Sequence, residues 1–166
     1  MNGKVITRTI FLILMIVNCV TIFIFSNQNG EESGNLSGSI LKDIIDVLPN
    51  TKELDESEKE ILVEKFQVVI RKGAHFSIYT LLGFLTMGFV NTFNIDNKKK
   101  VIFSFLFGVL YAVTDEIHQL FSSGRTAKLL DVGIDSLGVI FGILIISFII
   151  YLINRKKDKK TKIITN

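Results

Sequence analysis

The sequence has few of the residues that interrupt helices or cross-link a small soluble domain. Its 166 residues include one Cys and one Pro, whereas 48% are hydrophobic and 14 are Phe. Because Cys19 is alone, no intrachain disulfide can form. The apolar residues come in long blocks rather than in the periodic patterns of a soluble fold. This composition excludes an ordinary soluble domain and indicates a membrane protein.

Four apolar blocks are long enough to cross a bilayer, which takes about 20 residues per helix. They predict transmembrane helices at about 9–25, 73–93, 101–121 and 132–153. The third block reaches this length only with its polar end, DEIHQ, which we expect to be buried in protein. No small-x-small cleavage pattern follows the first block, so we expect it to remain as an uncleaved span.

Basic residues are concentrated in the segments that share a side with the N-terminus. If that side is cytoplasmic, 11 of the 19 basic residues lie inside, together with only two of the 16 acids. This bias predicts that both termini are cytoplasmic and that the basic tail 154–166 anchors the topology. The net charge of +3 is therefore no signal for nucleic-acid binding, and we expect membrane lipids as partners.

The predicted outer loop, residues 26–72, begins with a polar stretch, SNQNGEESGNLSGS, that is typical of a loop. Apolar residues then recur at helical spacing from Leu36 to Leu48, and again in a second run that ends at Ile70. Asp55 and Glu58 have the spacing of a capping box. We predict an all-α fold, a four-helix membrane bundle with two short amphipathic helices in this loop, forming one domain over 1–166.

Polar residues from separate segments should converge at the outer end of this bundle. Charged side chains within a bilayer cost about 2.5–3.5 kcal/mol each on insertion scales, so a group of them must face inward. The candidate binding residues are Lys72, Tyr79, Gln119, Arg125, Asp131 and Asp135, and the candidate catalytic residues are His75, Asp115 and Glu116.

Three interpretations of this cluster stay open. It is a structural ion-pair network neutralised by Arg125 or Lys128, a cavity for an anionic headgroup, or a reactive site with a general base. His75 and His118 near several carboxylates could also bind a divalent cation. However, the sequence contains no H-E-x-x-H pattern, so both the metal and any other cofactor stay undetermined.

Four stretches resemble the VanZ-like family. FSNQNGEES is similar to its Ser–Gln motif, and RKGAHFSIYTLLGFL to its Lys…His-Phe…Tyr…Leu-Gly pattern. DEIHQLFSSGR is similar to its Asp-Glu…Gln…Gly-Arg signature, and DVGIDSLG to its Asp-Val…Asn…Gly pattern. Asp135 departs from the last pattern because it stands where Asn is expected, which adds a negative charge.

The resemblance implies a small bacterial inner-membrane protein, in a family linked to resistance against lipoglycopeptides such as teicoplanin. Our leading hypothesis is an outer cavity that binds or modifies a lipid-linked or cell-wall-related headgroup, or a glycopeptide. In it, Lys72 and Arg125 would hold the anionic part. The alternatives are a membrane enzyme that uses the Asp/Glu/His cluster on a lipid headgroup, and a structural scaffold.

Overall fold

The described residues of this protein are helical wherever they form regular structure. The structure is a computed structural model that describes residues 3–28, 30–51, 54–121 and 128–164. Its helices are α1 (Gly3–Ser26), α2 (Gly30–Val47), α3 (Glu56–Asn91), α4 (Asn97–Gln119) and α5 (Leu129–Ile164), with a 3-10 turn at Pro49–Thr51 after α2. The predicted all-α fold is confirmed.

Four of these helices, α1, α3, α4 and α5, are long and apolar enough to cross a membrane. A helix satisfies its own backbone N–H and C=O groups, so these segments can lie in a bilayer core where no water is available. Large apolar side chains such as Val17, Phe103, Leu110 and Phe148 are more than half exposed. Such faces are suited to contact lipid, and the predicted number of spans is confirmed.

The second predicted amphipathic helix is not separate from the second span. α3 is one continuous helix of 36 residues, about 54 Å long at 1.5 Å per residue. Asp55 and Glu58 form the predicted capping box, with hydrogen bonds of 2.8 and 3.1 Å. The run between them and Gly73 contains no Pro, so the helix continues into the span and begins well before the predicted residue 73.

Other helices also extend beyond their predicted bounds, most of all α2 and α5. α2 begins at Gly30, inside the stretch that was predicted to be a loop, and ends at Val47 just before Pro49. α5 continues to Ile164, so the basic tail prolongs the last span as a helix. In both places a polar sequence without Pro follows or precedes an apolar helix, and helix propagation adds a hydrogen bond per residue.

α3 and α5 form the most extensive interface in the structure. A Cβ added at Gly142 would collide with the backbone oxygen of Thr80, and one at Gly138 would meet the backbone oxygen of Phe76. Both glycines belong to the GxxxG motif of α5, which lets two helix backbones approach closely. The motif therefore serves packing within the chain.

Polar contacts join the ends of the spans on the side of the chain termini. Arg8 of α1 donates to the side chain and backbone oxygens of Thr92 at 3.1 and 3.3 Å, and its guanidinium lies 3.9 Å from the centre of the Phe93 ring. Lys100 donates to Asn91 at 3.1 Å. The loop between α3 and α4 is thereby held to α1, and the opposite end of the bundle carries the candidate site.

We predict that Gly142→Ala destabilises the bundle, because the added methyl group must push α5 away from the α3 backbone. Overpacking of this kind typically lowers the free energy of unfolding by about 1–3 kcal/mol. The measurement is thermal unfolding of the purified protein in detergent. Gly133→Ala is the matched control, since a Cβ there meets nothing within 4 Å. Equal melting temperatures for the two variants would contradict this packing.

Candidate functional site

Three helices bring their polar residues to one end of the bundle. Helical spacing places Lys72, His75 and Tyr79 near one another on α3, and the i, i+4 pairs of α4 and α5 do the same on those helices. The described candidates from the sequence are Lys72, His75, Tyr79, Asp115, Glu116, Gln119, Asp131 and Asp135. Arg125 lies outside the described residues.

The centre of the site consists of His75, Asp115 and Asp135, one from each of the three helices. One ligand atom from each residue lies within 4.8 Å of those of the other two. Asp135 is fully buried and Asp115 is 6% exposed. His75 Nδ1 lies 3.7 Å from Asp135 Oδ1, which is longer than a hydrogen bond. Two carboxylates thus share a space that excludes most water, with an imidazole beside them.

Tyr79 and Gln119 complete the inner layer of the site. Tyr79 is fully buried, and its hydroxyl is close enough to Asp115 and Asp135 to interact with both electrostatically. Gln119 donates from Nε2 to Asp115 Oδ2 at 3.3 Å, which orients that carboxylate. Both oxygens of Asp135 lack a hydrogen-bond partner within the described part of the chain.

The outer layer contains the ion pair between Lys72 and Asp131. Their Nζ and Oδ1 atoms lie 2.7 Å apart, and the two side chains are 33% and 28% exposed. The pair links α3 to the first turn of α5. Lys72, which was expected to hold an anionic ligand, already has a carboxylate partner here. A ligand would therefore have to share or displace Asp131.

Glu116 has a partner that connects α4 to the start of α5. Its Oε2 accepts a hydrogen bond of 2.8 Å from the backbone N–H of Lys128, one residue before α5 begins. The carboxylate is buried and lies near the positive end of the helix dipole, where a negative charge is favoured. Glu116 thus helps to hold the helix that carries Asp131 and Asp135, and its predicted catalytic role stays a prediction.

His118 lies against α1 rather than among the three converging ligands. Its ring centre is 4.6 Å from that of Phe23. It is not among the three residues whose ligand atoms lie within 4.8 Å of one another, although it follows Asp115 by only three residues on α4. The sequence suggested that His75 and His118 could bind a cation together. In the structure, His75 is in the group of converging ligands and His118 is not.

A feature that the sequence did not predict is an apolar pocket beside the polar centre. Its volume is about 230 Å³, and it lies between α1, α2 and α3. Apolar side chains form most of its wall, and Gln28, Arg71 and His75 are its larger polar members. Two signals pointed to it without locating it: the Ser–Gln motif that contains Gln28, and the amphipathic pattern of α2.

This arrangement suits two kinds of chemistry, proton transfer and metal binding. The imidazole and carboxylates could accept or transfer a proton, because an acid next to His75 would orient the ring and stabilise its charged form. The same atoms offer one nitrogen and two oxygen ligands. In addition, His75 lies at the boundary between the polar centre and the apolar pocket, so a molecule bound in the pocket would contact the polar centre there.

We predict that Lys72 and Asp131 are energetically coupled, by roughly 0.5–1 kcal/mol as expected for a partly exposed ion pair. The measurement is a double-mutant cycle of unfolding with Lys72→Met, Asp131→Asn and the combined variant. The double variant should be more stable than the sum of the single effects implies. Strictly additive effects would contradict the pair.

The family model described as VanZ/LLP1 matches residues 11–151, which cover most of the chain. No curated protein and no solved structure matches it. The matched residues include His75, Asp115 and Asp135. This multi-pass membrane protein belongs to the VanZ/LLP1 family.

Proposed function

We propose that this protein binds the headgroup of an envelope amphiphile at the outer face of the bacterial cell membrane. The ligand class is a lipid, a lipid-linked cell-wall precursor or a lipoglycopeptide, all of which join an apolar chain to a polar head. The observation that carries the proposal is the position of His75, which lines the apolar pocket and also faces the buried carboxylates. Bound there, one molecule would place its chain and its head in chemically matched surroundings.

The pocket supports the apolar half of this proposal. Ile22 and Phe25 of α1, Leu36 and Ile40 of α2, and Ile78 of α3 all line it. At about 230 Å³ it is smaller than the ~300–1,000 Å³ of a site that encloses a whole drug-sized ligand. It would therefore hold a segment of a chain while the rest of the ligand extends into the membrane or the polar centre.

The polar side chains at the pocket support the other half. Arg71 can form paired hydrogen bonds with a phosphate or carboxylate. Gln28 and His75 offer further donors and acceptors for sugar or peptide groups. Asp135, which stands where the family pattern has Asn, adds a negative charge deeper in the site. An anionic group should accordingly bind at Arg71, near the pocket, rather than beside the carboxylates.

Membership of the VanZ/LLP1 family relates the protein to teicoplanin resistance by the family name. Teicoplanin is a lipoglycopeptide, so it belongs to the ligand class that the pocket and polar centre match. We propose that binding at this site contributes to resistance, either by retaining the glycopeptide or by altering the envelope molecule that it targets.

An enzyme acting on a lipid headgroup is the second candidate. The proximity of His75 to Asp135 favours it, because an acid that orients an imidazole is a common arrangement for a general base. Asp115 would then be available to the reacting group, with Tyr79 as a further donor. Turnover of a labelled envelope lipid by purified protein, abolished by His75→Gln, would support this candidate over simple binding.

We predict that the end of the bundle that carries the site faces outward. In a Cys19→Ser background, Asn35→Cys on α2 and Asn97→Cys at the start of α4 are a matched pair of exposed positions. A membrane-impermeant maleimide applied to intact cells should label only the former, and both after permeabilisation. Labelling of Asn97→Cys alone in intact cells would reverse the topology.

We predict that filling the pocket weakens ligand binding. Ala74 lines the pocket, so Ala74→Phe should occupy the volume meant for the chain. Ser77→Phe, at another exposed α3 position that does not line the pocket, is the control. Binding of teicoplanin to purified protein should weaken by at least about tenfold, or ~1.4 kcal/mol, in the first variant only. Equal affinity of both variants would contradict use of the pocket.

The corresponding test in cells is teicoplanin susceptibility of a sensitive Gram-positive host that expresses the protein. The native chain should lower susceptibility, whereas Asp115→Asn, Arg71→Ala and Ala74→Phe should lose this effect at matched membrane levels. Ser77→Phe should behave like the native chain. If native and all variant chains give the same susceptibility as the empty host, the resistance role does not apply to this protein.

A further inference from the structure

The polar centre has the composition of a metal site as well as that of a binding site. His75, Asp115 and Asp135 come from three different helices, and their ligand atoms lie within 4.8 Å of one another. Both acids are at least nine-tenths buried. Their spacing in the sequence matches no metal motif, because the three helices bring them together only in the folded bundle.

A second observation concerns the burial and hydrogen bonding of Asp135. Its side chain is fully buried, and within the described part of the chain neither of its oxygens has a hydrogen-bond partner. Burying a carboxylate without hydrogen bonds is costly, and two neighbouring carboxylates repel each other; the His75 imidazole, 3.7 Å away, offsets this only when it is protonated. Lys72 does not relieve this, since it is paired with Asp131 in the outer layer.

The distance between His75 and Asp135 also fits a metal better than a direct hydrogen bond. The 3.7 Å between Nδ1 and Oδ1 is too long for the latter. Two ligands held about 2.0–2.1 Å from a tetrahedral cation lie about 3.4 Å apart. A small movement of either side chain would therefore bring both atoms into the first coordination sphere of one ion.

We propose that His75, Asp115 and Asp135 bind one divalent transition-metal cation at the end of the bundle. One imidazole nitrogen and two carboxylate oxygens suit Zn²⁺ or Mn²⁺. The cation neutralises the two buried carboxylates and cross-links α3, α4 and α5. Gln119 is a positioning residue, because its hydrogen bond orients Asp115. The ion is held by the chain itself, so this site does not depend on the amphiphile proposed above.

The first experiment is elemental analysis of the native protein, purified in detergent without chelators. We expect about one zinc or manganese ion per chain. Asp135→Asn and His75→Gln should each lose the ion while keeping the size and shape of their side chains nearly unchanged. Asp43→Asn, an exposed acid on α2, is the matched control and should retain it.

The second experiment decides the matter even if a variant fails to fold. Native protein is stripped with EDTA, and its melting temperature is measured with added Zn²⁺, Mn²⁺ or Mg²⁺. The melting temperature should rise with Zn²⁺ or Mn²⁺ at near-stoichiometric concentration, because a cation that binds only the folded state stabilises it. Asp43→Asn should respond in the same way, and folded Asp135→Asn should not.

Two results would overturn the proposal. One is native protein that contains no metal and whose melting temperature does not respond to excess Zn²⁺ or Mn²⁺; the two acids would then share a proton or have another partner. The other is an Asp135→Asn variant that binds as much metal as the native chain. Neither result bears on teicoplanin binding or on the pocket variants, so the two proposals can fail separately.

Discussion

The close contact between α3 and α5 is the constraint on which the site depends. Gly138 and Gly142 allow the α5 backbone to approach the α3 backbone closely, because a Cβ at either position would collide with α3 backbone atoms. Asp135 lies one helical turn before Gly138, so the same contact brings its carboxylate under His75. α4 packs against this pair and supplies Asp115. A wider separation of the two helices would leave two buried acids without the imidazole beside them.

The charges of the site are arranged in two layers with different energetic roles. In the outer layer Lys72 and Asp131 face each other with partial access to solvent, so their pairing costs little and contributes little. In the inner layer the acids are buried, and such charges persist only where a partner compensates for lost solvation. The first layer holds helices together, whereas the second favours a ligand, a cation or a shared proton.

His75 connects this polar centre to the apolar pocket between α1, α2 and α3. It contributes to the wall of the pocket between α1, α2 and α3, and its ring also lies beside Asp135. α2 contributes Leu36, Ser37 and Ile40 to the same wall. α2 thus has a specific position against α3, rather than only the general affinity of an amphipathic helix for the membrane surface. A cation bound by His75 would in turn link the pocket to all three helices of the centre.

Much of the fold could be predicted because its signals are local. The four spans follow from the length of apolar runs, and the capping box at Asp55 follows from residues three apart. The positions of the polar residues along those runs also predict that these residues gather at one end of the bundle. The sequence did not predict that α3 is continuous, that Lys72 pairs with Asp131, that His118 contacts Phe23, or that a pocket adjoins His75. These depend on the rotation and depth of each helix, which are decided by the packing of distant side chains and by the two glycines at the α3–α5 contact.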